Sequence, residues 1–445
     1  MGKDMTQGSI ARSLIQFTVP LVLSGVLQQL FNWVDAFIVG NVEGELALGG
    51  VGAVTSTYNL FVLVITGFTS GLSVLSAQQY GMGEREKLRH TLATFSLLLG
   101  GIFLGVSALG AALTPSILTL MDTPTLIFPF STQYLRVVFW GFPFLAVYNT
   151  WSAVLRGLGD SRAPFLAVLV CSCFNGVLDV LFVAILGWGV TGAAAATVLS
   201  QCAMTLFLLC YAVKRYSILR FSLNRDVLRR SAIAEGSVFG LPPAIQSGVT
   251  SFGNMLLQRF MNGFGEQTVA AITTAYRVDS VLLLPIINFG SGVATVAAQN
   301  IGAGRPDRAR QALKTGAVMI AGISLSLTLI IYLFGGFLIS VFGLTPESVS
   351  IGRAFFRRIA SFYIIYGLAM VLRGYLEGLG DMVFSGLAGI AALGVRLLSS
   401  YALAGVLGWT VIAYAEALSW IALLGIYLIR LYARHHSIHR KEGIL

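Results

Sequence analysis

The feature that most restricts this chain is a series of apolar stretches that recurs from end to end, each about 20 residues long, which is the length at which a helix crosses a bilayer. Residues of the apolar class make up 56% of the sequence and charged residues 11%, whereas a soluble domain carries about 25% charged residues. The sequence therefore predicts an all-α polytopic membrane protein. Polar and Gly/Pro breaks delimit twelve predicted spans, at residues 16–40, 53–79, 91–113, 131–155, 162–186, 190–213, 238–262, 272–299, 314–342, 356–376, 383–406 and 409–432.

The distribution of Lys and Arg tests this number of spans, because basic residues accumulate in cytoplasmic loops. When the N-terminus is placed in the cytoplasm, most of the 29 Lys and Arg residues fall in predicted cytoplasmic segments. We therefore expect a multi-pass protein of the cytoplasmic (inner) membrane with both termini in the cytoplasm. The net charge of +10 is spread over short loops and not over one soluble face, which argues against a nucleic-acid partner.

The two halves of the sequence repeat each other after a shift of about 221 positions. The segment Leu155-Arg-Gly-Leu-Gly-Asp160 returns as Leu376-Glu-Gly-Leu-Gly-Asp381, and Leu186-Gly-Trp188 returns as Leu407-Gly-Trp409. Because these matches occur in the same order in both halves, they indicate a duplication and do not arise merely from a similar amino-acid composition.

The repeat predicts a division of the chain into an N-terminal six-helix lobe at 1–213, a basic cytoplasmic linker at 214–235 and a C-terminal six-helix lobe at 236–445. Each lobe has an even number of spans, so both lobes enter and leave the membrane on the same side. We therefore expect parallel repeats related by a pseudo-two-fold axis along the membrane normal.

Acidic residues inside predicted spans are candidates for function, because a charge in the bilayer costs about 3 kcal/mol on insertion scales. The first half holds Asp35 and Asp179, both roughly 8–11 Å below the outer surface at 1.5 Å per helical residue. Asn175 lies one helical turn before Asp179, and Thr197 on the sixth span reaches the same depth. Their oxygen atoms suit Na⁺, and two close carboxylates in a low dielectric can also retain a proton. The four residues form a predicted cation-binding and coupling site, with H⁺ and Na⁺ as alternative occupants.

The second half does not repeat this site. At the equivalent positions it has Gln258, Arg396, Ser400 and Leu418. Arg396 and Glu416 lie at depths of roughly 15 Å and 11 Å, where we expect them to form an ion pair with a structural role or, alternatively, to contact substrate. Asp279, near the outer end of the eighth span, is expected either to pair with Arg259 near the outer end of the seventh span as a structural charge or to attract a cationic substrate.

Pro20 lies inside the first predicted span, fifteen residues before Asp35. A proline removes one helical hydrogen bond and permits a bend. No phosphate loop, zinc-ligand spacing or catalytic triad pattern occurs in the sequence. We therefore expect neither an enzyme nor a metal centre other than a Na⁺ site at the four residues above.

These features together resemble the multidrug and toxic compound extrusion family of antiporters over the whole length of the chain. The resemblance rests on twelve spans in two sixes, on the repeated Leu-x-Gly-Leu-Gly-Asp segment, and on Asn32-Trp-Val-Asp35 followed by Gly40. It implies efflux of bulky, often cationic compounds in exchange for H⁺ or Na⁺, without a cofactor and by a monomer. It also implies a prokaryotic member, of the DNA-damage-inducible or an archaeal-like branch.

The same resemblance assigns roles to individual residues. Asp35, Asn175, Asp179 and Thr197 match the first-lobe cation site of the family, and Pro20 matches the proline at which the first helix bends in prokaryotic members. Some members place an acidic cation ligand on the seventh helix, where this sequence has Gln258-Arg259.

Two other functions compete with cation-coupled drug export. A flippase for lipid-linked saccharides would share the repeat architecture, but we expect it to carry several deep basic residues for diphosphate, and here Arg396 lies deep beside an acidic partner. The hypothesis of a channel or a receptor does not explain why the fold is duplicated while the ion site occurs in one half alone.

Overall fold

The computed structural model describes residues 4–220 and 228–442, which form helices and no strand. Residues 221–227 of the predicted linker lie outside the described residues. Within the described ranges nine helices are long and apolar enough to cross a membrane, or ten when the bent pair Pro346–Ala360 and Tyr363–Gly378 is one span. One of these stretches, Met382–Arg434, holds two successive helices, and Arg230–Asn262 is a further helix of 33 residues. The twelve predicted transmembrane helices are therefore present.

The chain packs as two compact units, which approximate the two halves of the repeat. The first comprises Met1–Asp4 and Pro20–Ala244, and the second comprises Met5–Val19 and Ile245–Leu445. The helices of the N-terminal half are α1 Ile10–Val42, α2 Glu45–Gly81, α3 Arg85–Leu120, α4 Phe128–Val138, α5 Phe142–Gly157, α6 Arg162–Asp179 and α7 Gly189–Arg215. Those of the C-terminal half are α8 Arg230–Asn262, α9 Glu266–Leu282, α10 Leu284–Gly302, α11 Pro306–Ser340, α12 Pro346–Ala360, α13 Tyr363–Gly378, α14 Met382–Leu407 and α15 Val411–Glu442.

Proline accounts for breaks within several spans. The fourth span is interrupted where Phe139–Gly141 form a 3₁₀ turn, and α5 resumes with Pro143 in its first turn. The eighth span breaks at Leu283, and α10 resumes with Pro285 in its first turn. Proline is tolerated in the first turn of a helix because backbone N–H groups there have no hydrogen-bond partner within the helix. In the interior of a helix, the missing N–H group and the proline ring disrupt the structure.

The repeated Leu-x-Gly-Leu-Gly-Asp segment has a steric explanation. A Cβ atom on Gly157 would lie 2.7 Å from Cβ of Ser76, and one on Gly378 would lie 2.7 Å from Cβ of Ala297. The second glycine of each copy ends its helix with a positive φ, 81° at 159 and 88° at 380. Glycine is favoured at both kinds of position, the first for close approach and the second for left-handed backbone.

The aspartate that ends each copy accepts hydrogen bonds from a different part of each unit. Asp160 accepts hydrogen bonds from the backbone N–H groups of Arg162 and Ala163, at 3.0 and 3.1 Å, and from the Tyr216 hydroxyl at 2.5 Å. Burial, together with the Asp160 carboxylate, raises the pKa of that hydroxyl. Asp381 instead accepts two bonds of 2.9 Å from the Arg430 guanidinium. A shared sequence motif thus makes different bonds in the two units.

The N-terminal segment Met5–Gly8 is bound to the second unit. The Met5 side chain is fully buried. The Met5 N–H donates to Gln299 Oε1 at 3.0 Å, and the carbonyl groups of Met5, Thr6 and Gly8 accept from Asn300, Arg305 and Arg308 at 3.3, 2.8 and 3.0 Å. These bonds hold the chain against the turn between α10 and α11 before α1 begins.

Candidate cation site in the first unit

The two intramembrane carboxylates of the first unit are both buried. Asp35 lies in α1 and is 9% exposed, and Asp179 is the last residue of α6 and is fully buried. A π-helical turn, Val180–Ile185, follows Asp179 directly. The two carboxylates interact electrostatically, so the structure brings together the acids that the sequence predicts at one depth.

These carboxylates lack the bonds that buried polar groups normally make. Both oxygens of Asp179, Oδ1 of Asp35 and Nδ2 of Asn175 are buried and have no hydrogen-bond partner among the residues that the structure describes. Within the same ranges neither acid takes part in an ion pair. An unpaired buried charge is costly unless it is neutralised by a proton or a cation.

Two tyrosines and a glutamine also lie near the acids, and none of the three is among the residues that the sequence predicts for the site. Tyr134 lies near Thr197 and interacts electrostatically with both carboxylates. The Tyr58 hydroxyl accepts a bond of 2.8 Å from Gln201 and also interacts with Asp35. The signal that could have found them is the hydroxyl of a tyrosine within an apolar span, since such a group needs a polar partner.

The donor set suits a hard cation or a proton. It consists of carboxylate, amide and hydroxyl oxygens, which are ligands of Na⁺-like ions and not of soft transition metals. No group of three or more His, Cys, Asp or Glu residues that could hold a metal ion occurs in 4–220 or 228–442. Thr197 Oγ1 donates to the Ala193 carbonyl at 3.0 Å, so its lone pairs are available as acceptors.

The buried charges of the second unit differ from those of the first, because Arg396 is the one charged residue among the four equivalent positions, Gln258, Arg396, Ser400 and Leu418. Arg396 and Glu416 form the expected ion pair at 3.0 Å, and Tyr276 bonds to both of them. Asp279 is buried and accepts a hydrogen bond from the Tyr363 hydroxyl. Arg396, Glu416 and Asp279 therefore have protein partners, in contrast to Asp35 and Asp179.

Pro20 lies within α1, which continues as one helix from Ile10 to Val42. Proline has no N–H, so the helical bond to the carbonyl of Gln16 is missing. The Ser24 hydroxyl donates to the Pro20 carbonyl at 2.9 Å. The division between the two compact units falls directly before Pro20, so residues on either side of the missing bond pack with different units.

Comparison with known proteins identifies the family. The family model MatE matches residues 20–181 and 242–402, one segment in each half. Two relatives from Bacillus subtilis strain 168 are the probable multidrug resistance proteins YpnP, 33% identical over 85% of each chain, and YoeA, 31% identical over 94% of each chain.

Solved structures show the same fold. A crystal structure of MATE in the bent conformation is 21% identical with a TM-score of 0.91, and covers 99% of this chain and 98% of that one. An outward-facing MATE family transporter of the MOP superfamily has a TM-score of 0.89 at 21% identity and 99% coverage of both chains. The matches confirm the family that the sequence resembles: the chain belongs to the MatE family and is a multi-pass membrane transporter, not an enzyme.

Proposed function

We propose that this protein is an antiporter that exports bulky organic, often cationic compounds across the cell membrane in exchange for H⁺ or Na⁺. In this proposal Asp35 and Asp179 carry the coupling cation, with Asn175 and Thr197 as neutral ligands. The protein acts as a monomer whose two termini are cytoplasmic, and its lobes have the boundaries 1–213 and 236–445.

One observation carries this proposal. Three carboxylate oxygens of Asp35 and Asp179 and the amide nitrogen of Asn175 are buried, and no described residue hydrogen-bonds to them. In a low dielectric, two ionised carboxylates at close range repel each other, so binding of a proton or Na⁺ is favoured. The bound cation supplies the positive charge that neutralises the carboxylates, which no protein side chain provides among the described residues.

The names of the relatives support the choice of substrate class. YpnP and YoeA are both described as probable multidrug resistance proteins, and a third relative from Staphylococcus aureus, 19% identical, is the multidrug export protein MepA. Several related proteins with drug-export names make organic compounds the first substrates to test.

Coupling is proposed to act through α1. A cation at Asp35 removes an unpaired charge from that helix, and the missing backbone bond at Pro20 lets the helix change its bend in response. Cation and drug then compete, because each favours a different shape of α1. By linkage, the factor by which the drug weakens cation binding equals the factor by which the cation weakens drug binding.

The test is dye transport in everted vesicles, in which export is measured as dye uptake into the lumen, with a proton gradient or a sodium gradient imposed separately. One gradient should drive efflux of an ethidium-like dye, and that gradient identifies the coupling ion. The Asp35→Asn variant should lose this coupled efflux and remain folded in the membrane. The matched control is Asp279→Asn, since Asp279 is also a buried intramembrane acid but has Tyr363 as partner; it should retain dependence on the gradient.

Three results would contradict the proposal. Efflux that ignores both gradients would refute cation coupling. Efflux by Asp35→Asn at the wild-type rate would refute the role of Asp35. Transfer of a lipid-linked saccharide across the bilayer, with no dye efflux, would favour the flippase.

A further inference from the structure

The second unit contains a cavity of about 290 Å³, formed by side chains of α8, α9, α14 and α15. It lies where the repeat relates this unit to the cation site, because Gln258, Arg396 and Ser400 all line it. Its polar lining includes the Arg396–Glu416 ion pair. Its apolar lining consists of Leu257, Phe260, Met261 and Ile412.

The ion pair uses only part of its hydrogen-bonding capacity. Arg396 donates through Nη2 alone, to Glu416 Oε2 at 3.0 Å and to the Tyr276 hydroxyl at 2.9 Å. Glu416 accepts through Oε2 alone, from Arg396 and from Tyr276 at 3.0 Å. Among the described residues, nothing bonds to Nε or Nη1 of Arg396 or to Oε1 of Glu416. Both side chains line the cavity, and 19% and 10% of their surfaces are accessible.

The unbonded nitrogen atoms of Arg396 and the unbonded oxygen atom of Glu416 determine which ligand charges the cavity favours. The pair has no net charge but has separated positive and negative ends, so a solute with one net charge would be attracted by one end and repelled by the other. The ionised form of Asp279, which interacts electrostatically with both members of the pair, would also repel a net anion. A zwitterion can lie antiparallel to the pair and make charge-assisted hydrogen bonds at both ends.

The volume selects the size of the ligand. Ligand pockets span about 300–1,000 Å³, so this cavity lies at the lower limit of that range and suits a compact molecule. The Phe260 ring and the aliphatic side chains that line the cavity can contact an apolar side group of the ligand. We propose that the second-unit cavity binds a compact zwitterion of amino-acid size with an apolar or aromatic side group, its carboxylate on Arg396 and its ammonium on Glu416. One part of this assignment, that the bound solute is also transported, rests on the proposed efflux function.

The first experiment compares three probes that share a phenyl ring. L-Phenylalanine has both charges, 3-phenylpropionate has the carboxylate alone, and phenethylamine has the amine alone. Binding to the purified full-length protein is measured by calorimetry. L-Phenylalanine should bind at least tenfold more tightly than either single-charge probe, and equal affinity for all three would overturn the assignment.

The second experiment removes the pair. The double variant Arg396→Gln, Glu416→Gln should bind L-phenylalanine at least tenfold more weakly, with a melting temperature that shows a folded protein. Its matched control is Arg373→Gln, Glu377→Gln, because that pair is also partly buried in the second unit, at 2.7 Å, but does not line the cavity. The control should bind as wild type; a double variant at Arg396 and Glu416 that also binds as wild type would overturn the assignment.

A third variant leaves the ion pair intact and fills the cavity. Asn254 lines the cavity from an exposed position on α8, so Asn254→Trp should exclude L-phenylalanine without disturbing the core. Unchanged affinity in this variant would place the bound molecule elsewhere and refute the site.

The two proposals fail in different ways. Loss of gradient-driven dye efflux in Asp35→Asn, with unchanged phenylalanine binding in the Arg396 and Glu416 double variant, would retain the efflux function and refute the zwitterion site. Pair-dependent phenylalanine binding without gradient-driven efflux of any solute would retain the site and refute the efflux function.

Discussion

Neutralising one member of the Arg396–Glu416 pair should destabilise the protein more than neutralising both. In Arg396→Gln the Glu416 carboxylate stays buried, with only Tyr276 left to donate to it. In Glu416→Gln the guanidinium loses its counter-charge. Each single replacement strands one charge, which in buried pairs costs about 3–5 kcal/mol; because 19% and 10% of these two side-chain surfaces are accessible, we expect the lower end of that range. The double replacement leaves two amides that can bond to each other, so it should cost about 1–2 kcal/mol, close to one net hydrogen bond.

The measurement is a double-mutant cycle on unfolding in detergent. The four proteins are compared in one detergent and at one ionic strength, with helix content monitored during unfolding. A coupling energy of several kcal/mol between the two sites is expected. If the two single losses add up to the loss in the double variant, the two charges do not interact in the folded protein, and the reasoning from the 3.0 Å contact is refuted.

Three further predictions concern the first helix and the repeated glycine. Asp35→Asn should keep drug affinity but weaken its dependence on pH and Na⁺, because Asp179 is then the one carboxylate left in the site, and binding titrations would check this; a dependence as strong as that of wild type would contradict the coupling role of Asp35. Pro20→Ala should restore the helical bond and lower turnover while drug affinity at high pH changes little, and normal transport would disprove the bending step. Gly378→Ala should cost about 1–3 kcal/mol in detergent melting because its Cβ would meet the Ala297 side chain. In contrast, Gly322→Ala, at an exposed helical position with no atom within 4 Å of the added Cβ, should be neutral or stabilising by up to about 1 kcal/mol; equal losses at both would contradict the packing argument.

The sequence could predict the helical fold because each span has to meet the requirements of the lipid environment, backbone hydrogen bonding and apolar length, within its own residues. Backbone groups in lipid must bond within a helix, so apolar length alone indicates a span, and the repeat independently divides the twelve spans into two sixes. Breaks within a span are harder to place. The π turn after Asp179 and the break at Leu283 depend on local packing, which a hydropathy pattern does not record.

The candidate site was predictable only in part. Asp35 and Asp179 could be assigned to one depth because helical rise converts sequence position to depth. Tyr58 and Tyr134 could not, because their distance from the acids depends on how α2 and α4 rotate about their axes. Tyr276, which bonds to both members of the ion pair, was missed for the same reason. Depth is a local property of one helix, whereas contact is a property of several.

The anchoring of Met5–Gly8 has a practical consequence for anyone who shortens or tags this protein. Terminal residues usually tolerate truncation because little holds them, but here a deletion through Gly8 would remove four hydrogen bonds and the fully buried Met5 side chain. It would also leave the Arg305 and Arg308 guanidinium groups without the carbonyl groups that they bind. A purification tag is therefore better attached beyond α15, and a protease that cuts within Met5–Gly8 would report release of the first helix from the α10–α11 turn.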